Sequence, residues 1–294
     1  MVSPIVIGAH PKRHEQEPIE LGIMFSRMTR APMDVVGTYW FDTTAQRQAS
    51  DEYGRVLRDE VLEALEHAVG DTDRVCGEVR VHVMSGGVAY ALHEKAVELG
   101  AGLIIVGSTH RGALGRITLG TTADRVLDHS PCPVAVAPRG FRDEDAMPQR
   151  IGVAFVDTPG GRSALHAGAA IAQCAGASLI AYTVIEPHTH DADRERAEAA
   201  LERAIDRYAR DVDVRAHVLT DGGVEALVSE SRHLDILVRG GRSGGPVRTP
   251  LAFGLPSKLA RRAACPFVIV PAGREEPLVA LFSATAGREG AAAG

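Results

Sequence analysis

The sequence predicts an α/β fold built twice in tandem, each copy a five-stranded, mostly parallel sheet flanked by helices. Three observations carry this. Short β-branched apolar runs alternate with segments of helical period along the whole chain, the pattern of βαβ crossovers. Two segments echo each other: Ile104-Ile105-Val106-Gly107 is followed, 25 residues after its Gly, by Cys132-Pro133-Val134-Ala135-Val136-Ala137-Pro138, and Ile236-Leu237-Val238-Arg239-Gly240 stands at the same spacing before Cys265-Pro266-Phe267-Val268-Ile269-Val270-Pro271. The chain of 294 residues, 45% hydrophobic and 24% charged, has the length and composition for two ordinary cores.

Taken in order, the first half reads strand 4–9, helix near 17–29, strand 33–41, helix 48–69, strand 78–84, helix 87–99, strand 102–107, a Gly-rich loop, helix 120–129 and strand 133–138. The second reads strand 150–156, helix 162–175, strand 178–185, helix 191–210, strand 212–219, helix 223–232, strand 235–239, a loop, helix 254–263 and strand 266–270. Domains are expected at 1–140 and 150–272, joined by a polar linker with the acidic run Asp143-Glu144-Asp145 and Pro148. Residues 273–294, rich in Ala and Gly, are expected as a flexible tail in which Leu278 to Phe282 could dock.

Several function classes are disfavoured. A net charge of −6 offers no basic face for nucleic acid. The four cysteines form no C-x-x-C pair, which argues against a zinc ribbon or redox dithiol and fits a reducing cytoplasm. Ser163 to Ile185 carries no charge, but His166, Gln173, Gly176 and Ser178 interrupt it and helix gives way to strand, so no membrane helix is expected. The start of the chain reads as a strand, not a signal peptide. Neither a Walker A run nor a G-x-G-x-x-G fingerprint is present. Gly241-Arg242-Ser243-Gly244-Gly245 fits a nucleophile elbow, yet prolines follow at 246 and 250 and no His follows His233. His188, His190, Asp191 and Asp193 read as the solvated start of a charged helix rather than a metal cluster.

The segment richest in chemistry runs from Gly107 to Thr122. A strand ends at Gly107, and Gly120-Thr121-Thr122 opens a helix whose free N–H groups and hydroxyls suit a phosphate. The plain alternative is a turn in which Thr121 or Thr122 is only an N-cap.

This loop, with the Pro-Cys-Pro-Val-Ala-Val-Ala-Pro strand after it, resembles the universal stress protein family, and the resemblance covers both halves. It implies two universal-stress-like domains of the adenine nucleotide α-hydrolase-like, Rossmann-type fold, with strand order 3-2-1-4-5. In that family the pattern Gly-x2-Gly-x9-Gly-(Ser/Thr) holds ribose and phosphates, and an Asp closing the first strand lies near adenine. Here the pattern reads Gly107, His110, Gly120, Thr121, and His10 takes the place of that Asp. The resemblance thus implies a first site drawing on Ala9, His10, Val106, Gly107, Thr109, His110, Gly120, Thr121 and Thr122. The second half departs further: Gly240, Ser243, Phe253 and Gly254 occupy the pattern, Gly241 begins a register shifted by one, and Val156 precedes Asp157 at the acidic position. Asp157, Gly240, Gly241 and Gly254 are the residues assigned there, to a site expected to have lost nucleotide.

The expectation is a cytoplasmic, non-enzymatic stress or regulatory protein holding ATP or AMP in its first domain, with an unidentified protein partner. A slow ATP hydrolase and a nucleotide-free interaction module are the alternatives. The resemblance also implies that Val134 to Pro138 and Val268 to Pro271 pair across the two domains, with a homodimer as a further level of assembly.

Overall fold

The computed structural model describes residues 2–10, 16–39, 50–70, 74–109, 114–185, 190–220, 223–241 and 262–289. The first half runs β1 (Ile5–Gly8), α1 (Glu17–Thr29), β2 (Met33–Tyr39), α2 (Ser50–Val69), β3 (Val79–Ser85), α3 (Val88–Leu99), β4 (Leu103–Gly107), α4 (Thr121–Leu127) and β5 (Val134–Ala137). The second runs β6 (Arg150–Phe155), α5 (Pro159–Ala175), β7 (Ser178–Val184), α6 (Asp191–Tyr208), β8 (Val214–Leu219), α7 (Val224–Glu230), β9 (Ile236–Gly240) and β10 (Phe267–Val270), and α8 (Glu276–Glu289) follows. The helix expected at 254–263 falls almost wholly outside the described residues.

All ten strands join in one sheet, ordered β3-β2-β1-β4-β5-β10-β9-β6-β7-β8. Within each half every pairing is parallel, and the two halves meet through β5 and β10, which pair antiparallel with Val268 opposite Ala135. The physical reason is in the strands themselves. Val134, Ala135, Val136 and Ala137, like Phe267, Val268, Ile269 and Val270, are buried, so neither strand has a face or an edge fit for water. Alternate residues serve opposite sides: Ala135, Ala137, Val268 and Val270 enter the core beneath α1, α5 and α8, and Val134, Val136, Phe267 and Ile269 enter the core beneath α3 and α4. Both cores therefore run unbroken from one half to the other.

The duplication reaches individual packing contacts. Gly22 of α1 lies over β1, where a Cβ would stand 2.3 Å from Ile7 Cδ1, and Gly168 of α5 lies over β6, where a Cβ would stand 2.4 Å from Val153 Cγ2. Each helix thus approaches its strand closely at the same place in the repeat. α5 opens with the Thr158 hydroxyl accepting from the Gly161 N–H at 3.1 Å and closes at Gly176, whose φ of +65° lets Ala177 N–H reach back to the Ala172 carbonyl.

Residues 276–289, expected as part of a flexible tail, form α8. Leu278, Leu281 and Phe282 give it a buried stripe, and Phe282 meets Phe25 of α1 edge-on with ring centroids 5.8 Å apart. The helix thus covers the seam between the halves. The linker is docked as well: Asp143 pairs with both terminal guanidinium nitrogens of Arg27, and Arg74 bridges Glu20 and Asp145 at 3.2 Å each.

β2 carries one buried charge, Asp34. Arg80 on the neighbouring β3 donates to it twice, at 2.9 and 2.8 Å, and His82 lies 2.6 Å away. Burial alone would raise the carboxyl pKa, but the hydrogen bonds from His82 and Arg80 outweigh it and hold the group below the usual carboxylate value.

Candidate functional site

β1 and β4 lie side by side in the middle of the first half, and the helices that follow them leave to opposite faces, α1 to one core and α4 to the other. A crevice opens at the carboxyl ends of two such strands. β6 and β9 hold the same relation in the second half.

In the first half, Gly8 ends β1 and Ala9 continues its pairing, its N–H donating to the Val36 carbonyl at 3.1 Å, with His10 exposed just beyond. Val106 is buried with its side chain in the core beneath α3 and α4, so only its main chain is available to a ligand. Gly107 ends β4 close to the first turn of α1, and a Cβ there would stand 3.1 Å from Pro18 Cγ. The next two residues form a clamp. Ser108 Oγ accepts from the Thr118 N–H at 2.6 Å and donates to the Thr118 carbonyl at 3.1 Å, while Thr109 N–H donates to the same carbonyl at 2.8 Å. The clamp holds the end of β4 against the segment that leads into α4, and so sets Gly107 and Gly120 on one rim.

Gly120 is the N-cap of α4, in an extended conformation with φ −92° and ψ 171°, and no side chain caps the helix. Thr121 and Thr122 are the first helical residues and both are exposed. They are therefore not the N-cap that the plain reading of the turn expected. Ser108, Thr118 and Pro18 were not singled out from sequence, although a hydroxyl directly after the strand-ending glycine was a visible signal. His110 and Gly254, with Ser243 and Phe253, lie outside the described residues.

The segment before α4 also reaches the other half. Ile117 N–H donates to the Ala263 carbonyl at 2.9 Å, and the Arg116 guanidinium donates to the Arg262 carbonyl at 2.7 Å.

In the second half the corresponding strand end is met by main chain. Only three residues separate β6 from α5, and the first turn of α5 rests on the end of β9: a Cβ on Gly240 would lie 2.2 Å from the Gly160 carbonyl, and one on Gly160 would lie 2.2 Å from the Gly241 oxygen. Main chain meets main chain where the first half has a proline ring. Asp157 is exposed and accepts from Arg162 at 2.7 Å, so its carboxylate is already paired within the entry to α5. Val156, at the position where the family carries Asp, is exposed.

Among the described residues no helix is long and apolar enough to cross a membrane. The sequence model of the universal stress protein family matches residues 1–138. Universal stress protein Rv2319c of Mycobacterium tuberculosis and universal stress protein Mb2346c of Mycobacterium bovis are each 27% identical over 144 residues, 47% of this chain and 49% of theirs; the chain spans about half the length of the curated relatives it matches. Among solved structures, a universal stress protein of Archaeoglobus fulgidus matches with a TM-score of 0.64 and 17% identity, over 91% of this chain and 96% of that one. A functionally unknown protein of Pseudomonas aeruginosa PAO1 matches with a TM-score of 0.60 and 16% identity, over 98% of each chain. The first half of the chain thus matches the universal stress protein family by sequence, and the chain as a whole has the fold of these solved structures, carried twice in the tandem form.

Proposed function

We propose that the first half binds an adenine nucleotide, ATP or AMP, in the crevice at the ends of β1 and β4, and that the second half has lost this capacity. The observation that carries the reading is the Ser108–Thr118 clamp. It presents Gly107 beside a helix start where Thr121 and Thr122 are exposed and, among the described residues, no side chain makes a capping hydrogen bond. Backbone N–H groups at such a start favour an anion, and a glycine on the rim lets phosphate approach the main chain. In the second half the Gly160–Gly240 contact brings main chain against the end of β9, and Arg162 already engages the Asp157 carboxylate.

The residues that follow Gly107 and Gly120, Ser108 and Thr121, carry hydroxyls, suited to binding rather than to proton transfer. We therefore read the chain as a cytoplasmic binding protein that signals occupancy to a protein partner, not as an enzyme. Because β5 and β10 cover each other inside one chain, a homodimer would need another surface.

The test is calorimetric titration with ATP and with AMP, on the wild type and on Gly120→Val. A Cβ at Gly120 meets Thr109 Cβ at 3.5 Å, an ordinary contact, and the extended backbone suits a β-branched residue, so the variant should fold. Saturable binding lost in Gly120→Val supports the site. Flat heats from the wild type would leave the nucleotide-free interaction module, and phosphate release in the same samples would instead favour the slow hydrolase.

A further inference from the structure

We propose a second, independent site: a divalent cation, Zn2+ by its ligand chemistry, held between α5 and the start of α8 by His166, Glu275 and Glu276. An imidazole nitrogen and two carboxylate oxygens from these residues all lie within 4.8 Å of one another. Side-chain rotation can close such a spacing on one ion at the usual bond length of about 2.0–2.2 Å, leaving a fourth position for water.

Two features separate this trio from a chance meeting of surface acids. The first is Glu275 Oε2, which is buried and accepts no hydrogen bond among the described residues. A carboxylate oxygen taken out of water without a donor is costly, and a cation is the partner it lacks. The neighbouring cation does not fill that role, since the Arg274 guanidinium donates to the Pro131 carbonyl at 3.3 Å. The pull of a helix N-terminus on acidic residues accounts for Glu276, the first residue of α8, but supplies no donor to the buried oxygen of Glu275.

The second feature is that the ligands come from separate elements already held in register. Gly273 N–H donates to Ser163 Oγ at 3.1 Å, one turn before His166 on α5, which seats the approach to α8 against that helix. The imidazole is also held beside Tyr208, whose ring centroid lies 5.9 Å from its own. One nitrogen and two oxygens form a borderline ligand set that suits Zn2+ better than Ca2+ or Mg2+, which favour oxygen alone. Bound there, the ion would pin α8 to α5 beside the buried Leu278, Leu281 and Phe282.

The experiment titrates Zn2+ alone into the metal-free full-length chain, following heat and melting temperature. The expected result is one equivalent bound and a raised melting temperature. His166→Gln and Glu275→Gln, which keep side-chain bulk, should each weaken binding at least tenfold and abolish the thermal shift. The double variant His188→Ala/His190→Ala, which removes the other His-rich run, should bind as the wild type does. No saturable binding by the wild type, or undiminished binding by His166→Gln, would overturn the proposal. So would binding that follows His188 and His190 instead. Circular dichroism of each variant without metal checks that a loss of binding is not a loss of fold.

Discussion

Replacing Phe282 by Ala tests whether α8 is part of the fold. The side chain is 1% exposed, sits among Leu278, Leu281 and the α1 residues of the shared core, and meets the edge of Phe25. Truncating a phenylalanine in such a setting costs about 3–5 kcal/mol, of which the aromatic pair itself accounts for about 0.5–1.5 kcal/mol. A helix docked over a sheet, however, can release without the sheet unfolding, so the loss cannot exceed the free energy with which α8 docks. Two measurements together resolve the cases. Urea unfolding reads the global change, and limited proteolysis followed by mass spectrometry reads opening of 276–289. A stability loss of about 3 kcal/mol or more, or a smaller loss with new cleavage inside α8, agrees with a docked helix. A change below about 0.5 kcal/mol with unaltered resistance to protease would refute the docking, because only surface substitutions are that mild.

Three further outcomes follow from the packing and the charges. Asp34→Asn should cost about 1–3 kcal/mol, since Arg80 and His82 lose a charged acceptor yet can still reach water. Because the native carboxyl is held below its ordinary value of about 3.9, its contribution is present above that value and lost as pH falls through the lower folded one. Asn at this position should therefore flatten the acid limb of a stability–pH profile. Gly168→Val places a Cβ 2.4 Å from Val153 Cγ2 and should cost about 1–3 kcal/mol by overpacking, measured as a lower urea midpoint with unchanged slope. Cys76 is exposed, whereas burial pushes the Cys132 thiol up to about 12 and raises that of Cys265 as well. Iodoacetamide should label Cys76 in the native protein and reach Cys132 and Cys265 only after unfolding, as read by peptide mass spectrometry.

The repeat was legible because each βαβ unit needs the same apolar strands and the same breaks between them. The Cys-Pro strands announced themselves as apolar on both faces, and their pairing follows from the lack of any other cover. Of the candidate site, the glycines at 107 and 120 and the hydroxyls at 121 and 122 were visible because a strand end and a helix start leave local marks. The Ser108–Thr118 clamp was not, since it joins residues ten apart across a loop whose course no local pattern dictates. Asp157 stood in sequence one residue past the acidic position of a site expected to have lost nucleotide; the distances tie it to Arg162 five residues on. The tail shows the same limit. Its Ala and Gly content suggested mobility, and only the cleft between α1 and α5 gives Leu278, Leu281 and Phe282 somewhere to go.

By itself the sequence determined the class of fold, its duplication, the order of the elements and the crevices where a ligand could sit, because these depend on periodicity and turn chemistry that act over a few residues. Tertiary structure alone decided that α8 caps the seam, and that main chain meets main chain at the end of β9 while a proline ring borders the end of β4. Those outcomes rest on close packing between segments far apart in the chain. Whether a helix can approach a strand end is settled by the few ångströms left between them, a quantity that no local pattern encodes.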